Sequence, residues 1–143
     1  MNKEYLLDTS AIFAFTDNEE GADLIEDLLD RAKRKQVTLY LSMMTAMELY
    51  YVTLGEGNEK EADELLLLVR SLPIMELPLE DRLLLSAAKF KARYKISVAD
   101  AWIAATAAVR NLTLIHKDPD FERLKEEIST LPLPYKLKRG RKL

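Results

Sequence analysis

Short apolar runs alternate with longer segments of helical periodicity along this chain, and that alternation limits the folds open to it. Four runs are predicted to be strands: residues 4–7, 37–41, 74–77 and 112–115. Helical segments separate them. Strands joined by helices run parallel, with right-handed crossovers. The pattern therefore predicts an α/β fold, a three-layer α/β/α sandwich with a central parallel sheet of four to five strands.

The segments between these strands have apolar residues at helical spacing. Helices are predicted at residues 11–15, 20–35, 43–54, 58–72, 79–94, 97–110 and 119–127. Residues 131–137 contain two prolines and are compatible with a short edge strand, where proline is tolerated. With no repeat and no low-complexity linker, we expect a single domain over residues 1–143 that ends in a basic tail at 136–143.

The composition excludes several kinds of active site. The 143 residues include no cysteine and one histidine, so a disulfide, a thiolate nucleophile, Cys-ligated zinc and a His-rich metal site are all excluded. Carboxylates, hydroxyls and cations must then carry any chemistry. No apolar run reaches the ~20 residues of a membrane span, and the first residues do not resemble a signal peptide. We therefore expect a cytoplasmic protein.

The charge of the chain is unevenly distributed. The net charge of −3 is unlike that of a general nucleic-acid binder. The last eight residues nevertheless contain five cations and no acid: Lys136, Lys138, Arg139, Arg141 and Lys142. This tail is either a solvated terminus or a phosphate contact, and the sequence leaves both open.

Two acidic residues follow predicted strands. Asp8 comes directly after the first strand, and Asp118 follows the fourth strand and precedes Pro119. Each has a structural alternative, because Asp is among the best N-cap residues and proline favours the first position of a helix. Asp120 can reach the same site or serve only the helix dipole.

Two further acids are lone charges in apolar helices. Glu48 is the only charged residue from Met43 to Gly55, and Asp100 is the only one between Ile96 and Val109. Such helices are expected to be largely buried, where an unpaired carboxylate is costly unless a cation neutralises it. The alternatives are a narrow exposed stripe for Glu48 and a capping box with Ser97 for Asp100.

Parallel topology brings these four carboxylates to one edge of the sheet. In such sheets the ligand binds outside the carboxyl ends of the strands. Four carboxylates there would repel one another, and a hard divalent cation would remove the repulsion. Oxygen ligands without imidazole or thiolate indicate Mg²⁺ or Mn²⁺, with one or two ions per site. The chemistry typical of such a site is phosphodiester hydrolysis.

Four motifs with these acids resemble the PIN-domain family, and especially its VapC-type toxin ribonucleases. They are residues 5–11 (YLLDTSA), 45–49 (TAMEL), 97–105 (SVADAWIAA) and 114–121 (LIHKDPDF). The resemblance covers essentially the whole chain. It implies an α/β/α fold and Mg²⁺- or Mn²⁺-dependent cleavage of RNA. The catalytic and metal-ligating positions of the family fall on Asp8, Glu48, Asp100 and Asp118.

The resemblance also implies positioning residues and partners. Ser10 matches the hydroxyl usual two residues after the first acid, and Thr9, His116 and Asp120 are candidates for holding the site or the substrate. His116 is a departure, because the family usually has Thr or Ser there. Contacts with RNA phosphates are expected from Lys117, Lys136, Lys138, Arg139 and Arg141. VapC-type members commonly dimerise, and a small antitoxin inhibits them.

Other functions remain open from the sequence. The chain could be a housekeeping RNA-processing nuclease, or a PIN-like module that binds RNA or protein with little catalysis. A receiver-like domain would need paired acids after the first strand, where Leu7 precedes Asp8. A haloacid-type phosphatase would need Asp-x-Asp where this chain has Asp-Thr-Ser. Both of these last two are disfavoured.

Overall fold

The computed structural model describes residues 2–136, in which five strands alternate with helices. Lys138, Arg139 and Arg141 of the predicted basic tail lie outside the described residues. The strands are β1 (Lys3–Leu7), β2 (Val37–Ser42), β3 (Met75–Leu77), β4 (Thr113–His116) and β5 (Thr130–Pro132). The helices are α1 (Thr9–Thr16), α2 (Ala22–Lys33), α3 (Met43–Gly55), α4 (Glu59–Ser71), α5 (Leu84–Arg93) and α6 (Val98–Arg110). Two 3₁₀ segments, Asp81–Leu83 and Pro119–Leu124, complete the described elements.

All five strands run parallel, in the order β3-β2-β1-β4-β5. Strand β1 is central, with β2 on one side and β4 on the other. The chain moves outward from β1 through β2 to β3, then returns to β4 on the other side. The carboxyl ends of β1 and β4 are therefore the switch point of the sheet, where α/β proteins form a ligand crevice.

The two faces of the sheet carry separate apolar cores. Leu6 and Leu114 pack in one core with α5 and α6, whereas Leu7 and Ile115 pack in the other with α1, α2 and α3. Successive residues of a strand point to opposite faces, so a central strand covered on both sides is continuously apolar. The predicted three-layer α/β/α sandwich with a parallel sheet is confirmed.

Several predicted element boundaries differ from the structure. The helix predicted at 79–94 begins only at Leu84, because Glu80 has an extended backbone and its carboxylate accepts a hydrogen bond from Arg110 at 2.7 Å. The helix predicted at 119–127 is a 3₁₀ segment that ends at Leu124. The edge strand predicted at 131–137 is Thr130–Pro132, since prolines lack the N–H that a longer ladder needs. None of the described helices has the length and apolar character needed to cross a membrane.

Candidate active site

Asp8 lies at the end of β1, beside the end of β4. Its backbone N–H donates to the Ile115 carbonyl at 2.9 Å, and its side chain is buried. Its Oδ2 atom caps α1 by accepting hydrogen bonds from the Ser10 amide at 3.0 Å and the Ser10 hydroxyl at 2.5 Å. Its Oδ1 atom is buried without a hydrogen-bond partner among residues 2–136. Capping therefore occupies one carboxylate oxygen and leaves the other for a ligand.

The Ser10 hydroxyl connects the two central strands. While it donates to Asp8, it accepts a hydrogen bond from the Lys117 amide at 2.8 Å. Lys117 directly follows β4, so this hydroxyl sets the position of Asp8 relative to the segment that carries Asp118. The structure thus brings Ser10 to Asp8 as expected from the sequence.

Glu48 projects from α3 and is held by Thr9. The Thr9 hydroxyl donates to Glu48 Oε1 at 2.6 Å and lies 3.2 Å from the Thr45 hydroxyl. Thr45 is not among the residues predicted from the sequence, although it stands three residues before Glu48 and so shares its helix face. That spacing is the signal that could have identified it.

The expected burial of α3 is wrong. Met43, Met47 and Tyr51 are each about half exposed. Glu48 itself is only partly buried. One apolar face of this helix is uncovered in the single chain. The scarcity of charged residues in α3 therefore does not mean that the helix is buried.

Asp100 lies in the first turn of α6. Ser97 caps this helix, and its Oγ accepts a hydrogen bond from the Asp100 amide at 3.0 Å. Burial, followed by the negative charges of Asp8, Asp118 and Glu48, raises the pKa of the Asp100 carboxyl to about 8. The electrostatic effects on this one pKa show that all four predicted acids lie near one another.

Asp118 and Asp120 complete the acidic site. Asp118 caps the 3₁₀ segment by accepting a hydrogen bond from the Asp120 amide at 2.9 Å. Single carboxylate oxygens of Asp100, Asp118 and Asp120 lie within 4.8 Å of one another, a spacing that suits a common cation. The structure therefore brings Asp120 to the site as well.

The environment of Asp8 also suits a cation. Burial raises the pKa of its carboxyl to about 6, against the lowering effect of the two Ser10 hydrogen bonds, and Glu48 and Asp118 raise it further. Its unpartnered Oδ1 lacks the hydrogen bond that a buried polar atom normally has. A hard divalent cation would provide the missing partner and offset the mutual repulsion of the acids.

His116 packs beneath the site instead of facing it. Its ring is buried, and the ring centroid lies 5.1 Å from that of Phe121 and 6.1 Å from that of Tyr135. Its Nδ1 accepts a hydrogen bond from the Asp118 amide at 3.2 Å. Burial lowers the pKa of the imidazole. A neutral ring therefore supports the Asp118 backbone.

Lys117 does not fit the predicted phosphate contact. The exposed fraction of its side chain is 4%, and its ammonium lies 3.4 Å from the Glu19 carboxylate and donates to the Glu20 carbonyl at 2.8 Å. Glu19 also lies 2.8 Å from the ammonium of Lys136. Lys117 is thus an internal cation that anchors the loop between α1 and α2, and Lys136 is already paired.

Comparisons with known proteins agree with this fold. A family model described as PIN domain matches residues 5–127. Among similar solved structures, VapBC2 from Rickettsia felis, bound to a DNA fragment from their promoter, is 18% identical with a TM-score of 0.75; the match covers 92% of this chain and 99% of that chain. VapBC-1 from nontypeable Haemophilus influenzae is 22% identical, with a TM-score of 0.67 and coverage of 90% and 97%.

A third similar structure is VapBC-5 from Mycobacterium tuberculosis, a member of the VapBC family of toxin-antitoxin systems. It is 25% identical, with a TM-score of 0.64, and the match covers 91% of this chain and 97% of that chain. A sequence comparison with curated proteins finds no match. Because these structural matches extend over nearly the full length of both chains, the whole described fold is shared with them.

Proposed function

This chain belongs to the PIN domain family, and we propose that it is a metal-dependent endoribonuclease that acts as the toxin of a toxin-antitoxin pair. The observation that carries the nuclease proposal is the convergence of Asp8, Glu48, Asp100 and Asp118 at the switch point of the sheet, with a buried Asp8 oxygen that has no partner among the described residues. A site made only of oxygen ligands is typical of Mg²⁺ or Mn²⁺.

The four acids would hold the cation, and Asp120 is close enough to take part. The bound ion would lower the pKa of a water molecule and stabilise negative charge on the scissile phosphate. The chain's own residues supply the rigidity for this. Ser10 orients Asp8, Thr9 orients Glu48, and the Ser97 cap fixes the first turn that bears Asp100.

Metal affinity should depend on pH. The pKa of Asp100 is about 8 and that of Asp8 is about 6, so both must lose protons before they bind a cation fully. We expect Mn²⁺ affinity to rise by up to about tenfold for each pH unit between about pH 6 and 8, because one proton is released. Calorimetric titration in two buffers of different ionisation enthalpy measures that proton. A pH-independent affinity would contradict the expectation, and Asp100→Asn should flatten the dependence.

The nuclease proposal is tested by incubating purified protein with end-labelled RNA in EDTA and in Mn²⁺. Cleavage should require the metal. Hydrolysis by water leaves no cyclic phosphate on either product, whereas a contaminating metal-independent ribonuclease that uses the 2′-hydroxyl leaves one. A 2′-deoxy nucleotide at the cut position should therefore still permit cleavage. Cyclic phosphate ends, or equal cleavage in EDTA, would oppose the proposal.

The toxin part of the proposal is supported by the similar structures, which are VapBC systems and include one described as a member of a family of toxin-antitoxin systems. Induced expression in the native host should arrest growth, and Asp8→Asn should relieve the arrest. Co-expression with a small protein encoded next to this gene should also relieve it and give a stable complex. Growth that is unaffected by active protein would favour a housekeeping role in RNA processing.

We also propose that the chain forms a homodimer. The uncovered apolar residues of α3 and α4 support this, since Met47, Tyr51 and Leu67 are between 50% and 73% exposed. Exposed apolar surface of this kind commonly marks a protein interface. Light scattering on the purified chain gives the oligomeric state directly.

A further inference from the structure

An RNA substrate needs cations beside the acidic site. Phosphate contacts contribute much of the affinity of proteins for nucleic acids. The chain has a net charge of −3, and its four converging acids add a local negative potential. Of the predicted contacts that the structure describes, Lys117 is buried against Glu19 and Lys136 is paired with the same carboxylate. Other described cations are therefore candidates for contacts with the phosphates.

One stretch of the sequence is free of acids and ends at the site. No Asp or Glu stands between Asp81 and Asp100. Within it, α5 and the turn that follows carry four cations: Lys89, Lys91, Arg93 and Lys95. Lys91 lines a pocket with Val98 and Ala101 of α6, whereas Lys89 and Arg93 lie on another side of α5, beside Glu127. Lys95 stands two residues before Ser97, the cap whose hydroxyl accepts from the Asp100 amide. The amino end of α6 thus joins this basic stretch to the acidic site.

Arg123 links the same stretch to the other acidic segment. Its Nη1 donates to the Lys95 carbonyl at 2.6 Å. Arg123 lies in the same 3₁₀ segment as Asp120, whose carboxylate lies within 4.8 Å of those of Asp100 and Asp118. The two chain segments that supply these carboxylates therefore also place Lys95 and Arg123 side by side.

The side chains of this region remain available for a ligand. Lys91, Lys95 and Arg123 are exposed, and none of them forms an ion pair within residues 2–136. Arg93, in contrast, lies 3.6 Å from Glu127. We call Lys91, Lys95 and Arg123 the basic ridge.

We propose that the basic ridge binds the phosphate backbone of a single-stranded RNA substrate and leads that strand to the acidic site. This inference rests on the proposed ribonuclease function. Single-stranded nucleic acid is commonly held by a positively charged groove that follows the backbone. A basic last turn also complements the dipole of α5. If these cations had only that structural role, replacing them would lower the stability of the protein without changing its affinity for RNA.

The test replaces Lys91, Lys95 and Arg123 by Gln in one protein. The matched control replaces Lys33, Arg34 and Lys35 by Gln. These three are exposed at the end of α2, where the Lys35 carbonyl accepts a hydrogen bond from Asn2 near the start of β1. Both variants lose three positive charges. The control residues, however, lie near the amino ends of the strands, whereas the acidic site lies at the carboxyl ends.

We expect the ridge variant to raise KM for a labelled single-stranded RNA at least about tenfold and to leave kcat within about twofold, since the change removes binding at a distance from the reacting phosphate. The slope of log affinity against log salt, measured by fluorescence anisotropy in EDTA, should fall by up to about 2, from ~0.7 per phosphate contact. The control variant should change neither quantity.

An unchanged KM and salt slope in a variant that still cleaves RNA would overturn the ridge proposal and leave the ribonuclease function intact. A lower melting temperature with unchanged KM would assign the lysines to the dipole of α5 and would overturn it equally. Wild-type protein that does not cleave RNA but loses affinity for it in the ridge variant would instead refute the ribonuclease function and support the RNA-binding surface.

Discussion

Replacing Asp8 by Asn should reduce kcat/KM for RNA cleavage in Mn²⁺ at least about 100-fold, because the loss of a ligand removes several kcal/mol of charge stabilisation at the reacting phosphate. The substitution is nearly isosteric. The Asn oxygen can still accept from the Ser10 amide and hydroxyl, so the cap of α1 is retained. What changes is the second atom: the unpartnered Oδ1 becomes an amide nitrogen, which cannot bind a cation.

The matched control is Asp23→Asn, which makes the same chemical change at an exposed residue of α2. Initial rates with an end-labelled RNA, together with circular dichroism to confirm folding, compare the two variants with wild type. Asp23→Asn should retain full activity. Wild-type rates in a folded Asp8→Asn protein would remove Asp8 from the proposed mechanism.

Replacing Asp100 by Asn should abolish cleavage and yet stabilise the metal-free protein at pH 8. The pKa of Asp100 is raised from 3.8 to about 8 in the folded state. A raised folded-state pKa favours folding at low pH, and this contribution is lost as the pH rises from about 4 to about 8. Asn has no proton to lose, so the variant escapes that loss.

The gain at pH 8 should be about 1–3 kcal/mol in the free energy of unfolding, which is less than the full shift implies because Asp100 is only partly buried. Urea unfolding in EDTA at pH 4 and pH 8 measures it, and the difference between variant and wild type should shrink toward pH 4. Added Mn²⁺ should stabilise wild type more than the variant. A variant that is less stable than wild type at pH 8 in EDTA would contradict the proposed repulsion, and Asp23→Asn again serves as the control.

The fold could be predicted because its signals are local. The apolar run that stops at Asp8 and the run that stops before Asp118 indicated two neighbouring strand ends, and the parallel sheet places them side by side. The residues of the site followed from the same argument together with the family motifs. Their roles in binding a cation and cleaving RNA remain a proposal.

Features that depend on distant contacts could not be predicted from the sequence. Nothing near Lys117 indicates that Glu19, far along the chain, lies 3.4 Å from its ammonium and makes it an internal cation. For Glu48 the reasoning was wrong although the residue lies at the site. A lone charge in an apolar helix suggested a buried helix, whereas Met47 and Tyr51 are exposed. A single sequence does not show whether an apolar face is covered by its own chain or by another.

Three of the clustered acids lie at helix starts: Asp8 and Asp118 are caps, and Asp100 is in the first turn of α6. The Asp8 and Asp118 carboxylates therefore have a structural role that does not need a cation. The positive ends of helices partly offset the crowding of negative charge. We therefore expect the chain to fold without the proposed ion, although ion binding would add to its stability. If the site holds an ion as proposed, its removal by a chelator should leave the protein folded and inactive, and the removal should be reversible. Under the proposed function, the concentration of the available ion would then control activity, and loss of the ion would not expose an unfolded protein to degradation.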